Sequence, residues 1–207
     1  MNRTALPNFS NQTVIVVGSG PSLKKLTPDL ISKYPSVGCN STVQYFHPTI
    51  WCSAHADNIH SVKHFIMTDN FDCAMYIRAG VTSRGTTYNN EEEAKRILPE
   101  HILKKLFWMD RHDVPPKVLS EDTFLIRQGG WLSGILALEI AITLGANKLI
   151  LFGYDYDDLG HWDGSAVGNR SHTSFLEHHF WFFSGKEIEV DYRGQNPKLI
   201  QFHKLKG

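Results

Sequence analysis

Residues 14–23 read VIVVGSGPSL. The apolar run from Thr13 to Val17 is short, continuous and rich in valine, which predicts a strand of a parallel sheet covered on both faces. It stops at Gly18-Ser19-Gly20-Pro21-Ser22. Gly18 and Gly20 allow a tight turn and a close approach of ligand to backbone. The amides that follow, with Ser19, Ser22 and Lys24 or Lys25, suit a phosphate. Leu23 stands where the dinucleotide fingerprint has its third glycine, and no Gly-Lys pair follows at P-loop spacing. The turn therefore points to a mononucleotide or a nucleotide sugar; the bland alternative is a plain strand-to-helix turn.

The rest of the chain repeats the pattern. Thr27 can cap, Pro28 suits the first helical position and Asp29 favours the dipole, so a helix is expected to start here. Strands are expected at 36–39 (ending at Asn40), 49–54 (ending at His55 and Asp57), 72–77 and 147–152 (ending at Gly153-Tyr154-Asp155). Asn90 opens a capped surface helix, EEEAKRIL. GWLSGILALEIAITLG, 130–145, is apolar nearly all round and closes on Gly145, so it is a helix buried against the sheet. RHDVPPKVLSED, 111–122, with paired prolines and mixed charge, reads as a loop or an excursion over the sheet. Alternating strands and helices predict an α/β fold, a Rossmann-like, doubly wound and mainly parallel sheet flanked by helices. The expected organisation is one domain over 1–207, with excursions around 107–130 and 157–185 as the candidate lid or acceptor-binding surface.

Composition narrows the function. The 207 residues carry 42 % hydrophobic and 20 % charged side chains, the make-up of an ordinary globular protein. Lys plus Arg equals Asp plus Glu at 21 each, so no global field recruits nucleic acid or a membrane surface. Cys39, Cys52 and Cys73 are odd in number and lack CxxC spacing, which suits a reducing compartment. The first residues lack the apolar core of a signal peptide and no apolar run is long enough to span a bilayer, so the expected location is cytoplasmic.

In an open parallel sheet, ligands bind beyond the carboxyl ends of the strands. Gly18–Ser22, Asn40, Asp57 and Asp155 all fall there. Asn40 can read a base or ribose edge, or close an Asx-turn. Asp57 and Asp155 can bind a ribose hydroxyl or a magnesium ion, while Asp57 can equally cap the helix it opens. Ser133 and Gly134 open the buried helix and offer an anion site, or merely close packing. In the histidine-aromatic stretch HTSFLEHHFWFF, 172–183, and before it, His161, His172, His178 and His179 can supply a general base. No HExxH or His/Cys metal spacing is present. The same stretch, if exposed, would serve as a homo-oligomer interface.

Two blocks carry a family resemblance: VIVVGSGPSLKKL with Asn40, and SGILALEIAITLGANKLILFGYDY. Together they resemble a superfamily of Rossmann-like transferases. It includes bacterial sialyltransferases that modify lipooligosaccharide, archaeal 6-hydroxymethylpterin diphosphokinase-like proteins, and phage proteins. The resemblance implies nucleotide contacts from Gly18, Ser19, Gly20, Pro21, Ser22, Asn40, Ser133 and Gly134. On the sialyltransferase side it implies a CMP-activated sugar donor, no obligatory metal, and a late histidine, His178 or His179, as base for an unidentified acceptor. On the diphosphokinase side it implies Mg-ATP held with help from Asp57 and Asp155. The expected activity is a nucleotide-dependent transferase, foremost a glycosyltransferase, with the diphosphokinase and a non-catalytic nucleotide-binding protein as alternatives.

Overall fold

The computed structural model describes residues 7–54, 57–67, 74–78, 80–83, 86–111, 117–120, 123–126, 132–156, 160–164 and 173–205. Its strands are β1 (Thr13–Val17), β2 (Ser36–Cys39), β3 (Ile50–Ser53), β4 (Ala74–Arg78), β5 (Gly80–Ser83), β6 (Thr86–Asn89), β7 (Leu106–Arg111), β8 (Lys117–Ser120), β9 (Thr123–Ile126), β10 (Lys148–Phe152) and β11 (Glu189–Tyr192). The helices are α1 (Pro28–Lys33), α2 (Asp57–Ile66), α3 (Asn90–Ile97), α4 (Glu100–Leu103), α5 (Ser133–Thr143), α6 (Thr173–Phe183) and α7 (Pro197–Lys204). Tight 3-10 turns follow β1 at Pro21–Lys25 and β2 at Asn40–Gln44.

Nine strands form one sheet in the order β11-β10-β1-β2-β3-β4-β7-β9-β8, and β5 and β6 pair separately as an antiparallel ribbon. Every neighbouring pair of the large sheet is parallel except β8 against β9. The strand order runs outward from β1 through β2, β3 and β4, then restarts on the opposite side with β10 and β11. That reversal between β1 and β10 is the topological switch point, where adjacent crossovers leave on opposite faces and open a crevice. The Rossmann-like α/β fold expected from the strand–helix alternation is the one observed. The stretch 111–122, expected as a loop, is corrected in part: Lys117–Ser120 is a strand, paired antiparallel to β9 with an irregular register at Val118/Ser120. An edge strand has one partner and no covering layer on its far side, so charge and proline nearby do not forbid it.

Strand alternation divides the core. Val14, Val16, Leu149 and Leu151 face α5 and α6 on one side of the sheet, with Phe182 and Phe183. Ile15, Val17, Ile150 and Phe152 face the other side with Leu23 and Leu26. Val14–Val17 are fully buried, each stabilising the fold by about 1.5–3 kcal/mol of removed apolar surface. Trp51, Ile59, Val62 and Ile66 continue that second side under α2 and α3. α5 packs on β1, β2 and β3 and ends where Gly145, at φ 98°, takes the left-handed conformation. Among the described residues no helix is long and apolar enough to cross a membrane.

Candidate functional site

The two strand ends at the switch point are built against each other. Gly20 N–H donates to Gly153 O at 2.9 Å, and Gly18 N–H to Phe152 O at 2.8 Å. A Cβ on Gly18 would stand 2.5 Å from Gly153 O, and one on Gly20 would stand 2.5 Å from Asp155 Oδ2. Gly153 itself lies at φ 71°. The glycines that the sequence offers for ligand approach are thus needed first for turn-on-turn packing.

Asp155 locks the arrangement. It is 1 % exposed; its Oδ2 accepts from Ser22 N–H at 2.8 Å and its Oδ1 from Gln195 N–H at 3.0 Å. Its carbonyl accepts from Asn196 Nδ2 at 2.7 Å. Ser22, 2 % exposed, closes the loop by accepting from Gly153 N–H at 2.9 Å. Both carboxylate oxygens therefore accept from backbone amides, that of Ser22 buried and that of Gln195 partly so, the pairing a buried carboxylate requires. The amides of Gly20, Ser22 and Leu23, expected to hold a phosphate, are engaged within the protein. Lys25 turns away, its Nζ donating to Arg193 O at 3.4 Å.

Beside this clamp opens a cleft of about 130 Å³. Of the residues read as nucleotide-binding, Gly18, Ser19, Gly20, Asn40, Ser133 and Gly134 line it, while Pro21 and Ser22 do not. The side chain of Asp57, at the start of α2, and His172 lie outside the described residues. Further lining comes from Cys39, Gly153, Tyr154, Tyr156, Gly160 and His161. Asp155, His178 and His179 do not line it.

Each wall has a local reason. Asn40 ends β2 at φ 51°, a conformation asparagine tolerates better than other branched or bulky residues. Trp51 Nε1 donates to its carbonyl at 2.8 Å and Ser53 Oγ to its Oδ1 at 3.3 Å, so the amide side chain is oriented. Ser133 Oγ accepts from Ala54 N–H at 3.1 Å, tying the start of α5 to the end of β3. Tyr154 donates from its hydroxyl to Gly134 O at 2.7 Å, and its ring lies where a Cβ on Gly134 would stand, 3.2 Å away. Close packing is therefore one established use of Ser133 and Gly134. Trp162 draws residues 160–164 over the glycine turn: its N–H donates to Ser19 O at 2.9 Å and its Nε1 to Ser41 Oγ at 3.3 Å. That strap carries His161 into the cleft.

The floor is uncharged. Burial pushes the Cys39 thiol up to about 12, opposed by its hydrogen bond with Ser19, so it stays protonated and is no nucleophile. Burial raises the Tyr154 and Tyr156 phenols as well. His179 is 0 % exposed, and burial and then the neighbouring His203 push its imidazole well below 6.5. Enclosed in this way it meets Tyr156 and His203, while His178 on the same helix is exposed. Among the described residues no group of three or more His, Cys, Asp or Glu is placed to hold a metal ion. In the sequence Tyr154 stands only as part of the strand end Gly153-Tyr154-Asp155 and nothing singles out Tyr156; the available signal was an aromatic residue within three positions of a strand-end glycine.

No protein-family model matches the chain, and no curated protein sequence matches it. Solved structures do. The chain is similar to the monofunctional α-2,3-sialyltransferase Cst-I from Campylobacter jejuni over 97 % of its own length and 82 % of the other chain, at 14 % identity and TM-score 0.51. It is also similar to the sialyltransferase CstII from Campylobacter jejuni in complex with cytidine-5'-monophosphate, at 15 % identity over 93 % of this chain and 84 % of that one, with TM-score 0.48. At such identity the likeness to Cst-I is one of fold.

Proposed function

We propose that this protein is a glycosyltransferase that draws on a nucleotide-activated sugar, CMP-linked by preference, and binds the nucleotide in the switch-point cleft. The observation that carries the reading is convergence. Gly18-Ser19-Gly20, Asn40 and Ser133-Gly134 lie far apart in the chain, belong to the motifs that resemble the sialyltransferases, and line one cleft. The fold shared with Cst-I, a sialyltransferase, supports it. No observation favours the diphosphokinase: both oxygens of Asp155 already accept from backbone amides.

The chemistry is an in-line displacement. The acceptor hydroxyl oxygen forms a bond to the anomeric carbon as the bond from that carbon to the phosphate oxygen breaks. The nucleotide phosphate leaves with the electron pair, and a histidine takes the hydroxyl proton. His161 lines the cleft and His178 is exposed on α6, whereas enclosure of His179 keeps it from an acceptor. His172 immediately precedes α6 in sequence and belongs in the same test.

Calorimetric titration with CMP, CDP and ATP, each with and without magnesium, tests the nucleotide. CMP binding indifferent to magnesium is expected, as is CMP release from a CMP-sugar that falls at least a hundredfold in one of His161→Ala, His172→Ala or His178→Ala. ATP binding that requires magnesium, with no CMP binding, would overturn the reading. CMP binding with no turnover of any CMP-sugar would make the protein a nucleotide binder only.

A further inference from the structure

Behind the cleft wall, the last two helices meet at a pair of imidazoles. His179 Nε2 on α6 stands 2.9 Å from His203 Nε2 on α7, with the residues 0 % and 7 % exposed. Two nitrogens at this distance share one hydrogen, so one ring donates and the other accepts, and the two tautomers are coupled. Phe183 packs on both rings, at 4.8 Å from His179 and 5.1 Å from His203 between centroids, and Tyr192 stacks on His203 at 5.6 Å. The second nitrogen of His179, Nδ1, lies 3.4 Å from the Tyr156 hydroxyl.

Tyr156 is where this network reaches the site. It lines the cleft, yet its backbone sits at φ 47°, a region an aromatic residue occupies only where its surroundings over-determine it. The edge contacts of its ring to His179 at 5.5 Å and Tyr154 at 6.1 Å, with the hydroxyl contact to Nδ1, are those surroundings. We propose that the His179–His203 pair is a positioning device for Tyr156: it holds that ring as the wall of the cleft and so sets the cleft's affinity. The two histidines act through Tyr156 and touch no ligand. The identity of the ligand rests on the glycosyltransferase reading; the coupling itself does not.

A double-mutant cycle over Tyr156→Phe and His203→Phe, titrated with CMP, tests the coupling. Phenylalanine keeps the ring volume among Phe183, Phe202 and Tyr192 but removes the nitrogen partner of His179. Each single variant is expected to weaken CMP about tenfold, and the double variant no more than Tyr156→Phe alone. His203→Gln, whose amide can donate to His179 Nε2, should recover part of the loss. An unchanged affinity in His203→Phe, or two losses that multiply, would overturn the proposal. Histidine ¹⁵N spectra of the wild type and Tyr156→Phe decide the coupling without ligand and without His203→Phe folding. The Nδ1 and Nε2 resonances of His179 should move, with those of His203 following, and spectra that do not change overturn it. A wild type that ignores CMP but shows coupled spectra would sink the CMP-sugar reading and leave the positioning network standing.

Discussion

Gly18 and Gly153 are in reciprocal backbone contact: a Cβ built on either one runs into the carbonyl of the other. Two parallel strand ends, β1 and β10, can lie this close only while both turns lack side chains. The cleft beside them exists because the turns interlock.

Gly153→Ala therefore combines two costs, a left-handed backbone and a collision with main chain that cannot swing aside. The expected loss is about 3 kcal/mol or more in urea unfolding. Gly185→Ala is the control, since Gly185 also lies at φ 71° but has nothing within 4 Å of its Cβ. It should cost only about 1 kcal/mol. Equal losses at the two positions would show that strain alone, without the interlock, explains Gly153.

Asp155→Asn converts one acceptor into a donor that faces an amide N–H, either that of Ser22 or that of Gln195. Leaving a buried donor unmatched should lower the unfolding free energy by about 2 kcal/mol, and the loss should be the same with or without magnesium. A variant as stable as wild type, but with magnesium-dependent nucleotide binding abolished, would restore Asp155 to the role of metal ligand.

Asn40→Gly separates backbone from side chain. Glycine accepts φ 51° without strain, so the melting temperature should hold within a few degrees while the amide is removed from the cleft. CMP affinity is expected to fall by about tenfold in calorimetry. Unaltered affinity would reduce Asn40 to a residue that ends β2.

The His179–His203 pair makes a prediction about pH. Burial, then repulsion from His203, holds the folded-state pKa of His179 well below 6.5, and the phenols of Tyr154, Tyr156 and Tyr192 face the pair. The unfolded chain takes up a proton as pH falls through about 6.5, and the folded chain does not until much lower. The contribution of this group is thus complete above that pH and is lost below it, at up to about 1.4 kcal/mol per pH unit. Thermal midpoints measured from pH 7 to pH 5 should fall more steeply in wild type than in His179→Phe/His203→Phe. Parallel slopes would show that the pair is protonated in the fold.

Elements with a continuous apolar run were legible in the chain. β1, β2 and β10 fall within a residue or two of where VIVV, SVGC and NKLILF place them, and α5 lies inside the 130–145 stretch, because buried parallel strands and a buried helix are mostly apolar. β11, EVDY, is half-exposed at the sheet edge, and β8 lies just beyond paired prolines, so neither shows a periodic apolar pattern. In the site, Gly18, Ser19, Gly20, Asn40, Ser133 and Gly134 were legible as strand-end and helix-start residues. His161 was legible only as one of four candidate bases, and Tyr156 and the engagement of Asp155 were not legible, since each depends on which distant amide, ring or strap arrives beside it.

The sequence alone determined the alternation of strands and helices and the side of the sheet on which its small polar residues gather, since local hydrophobic period and turn chemistry are written residue by residue. Tertiary structure alone decided that β10 returns beside β1, that Asp155 serves Ser22 and Gln195, and that His179 faces His203. These are contacts between segments far apart in the chain, 133 residues in the case of Ser22 and Asp155, and their partners are chosen by packing geometry that no local pattern encodes.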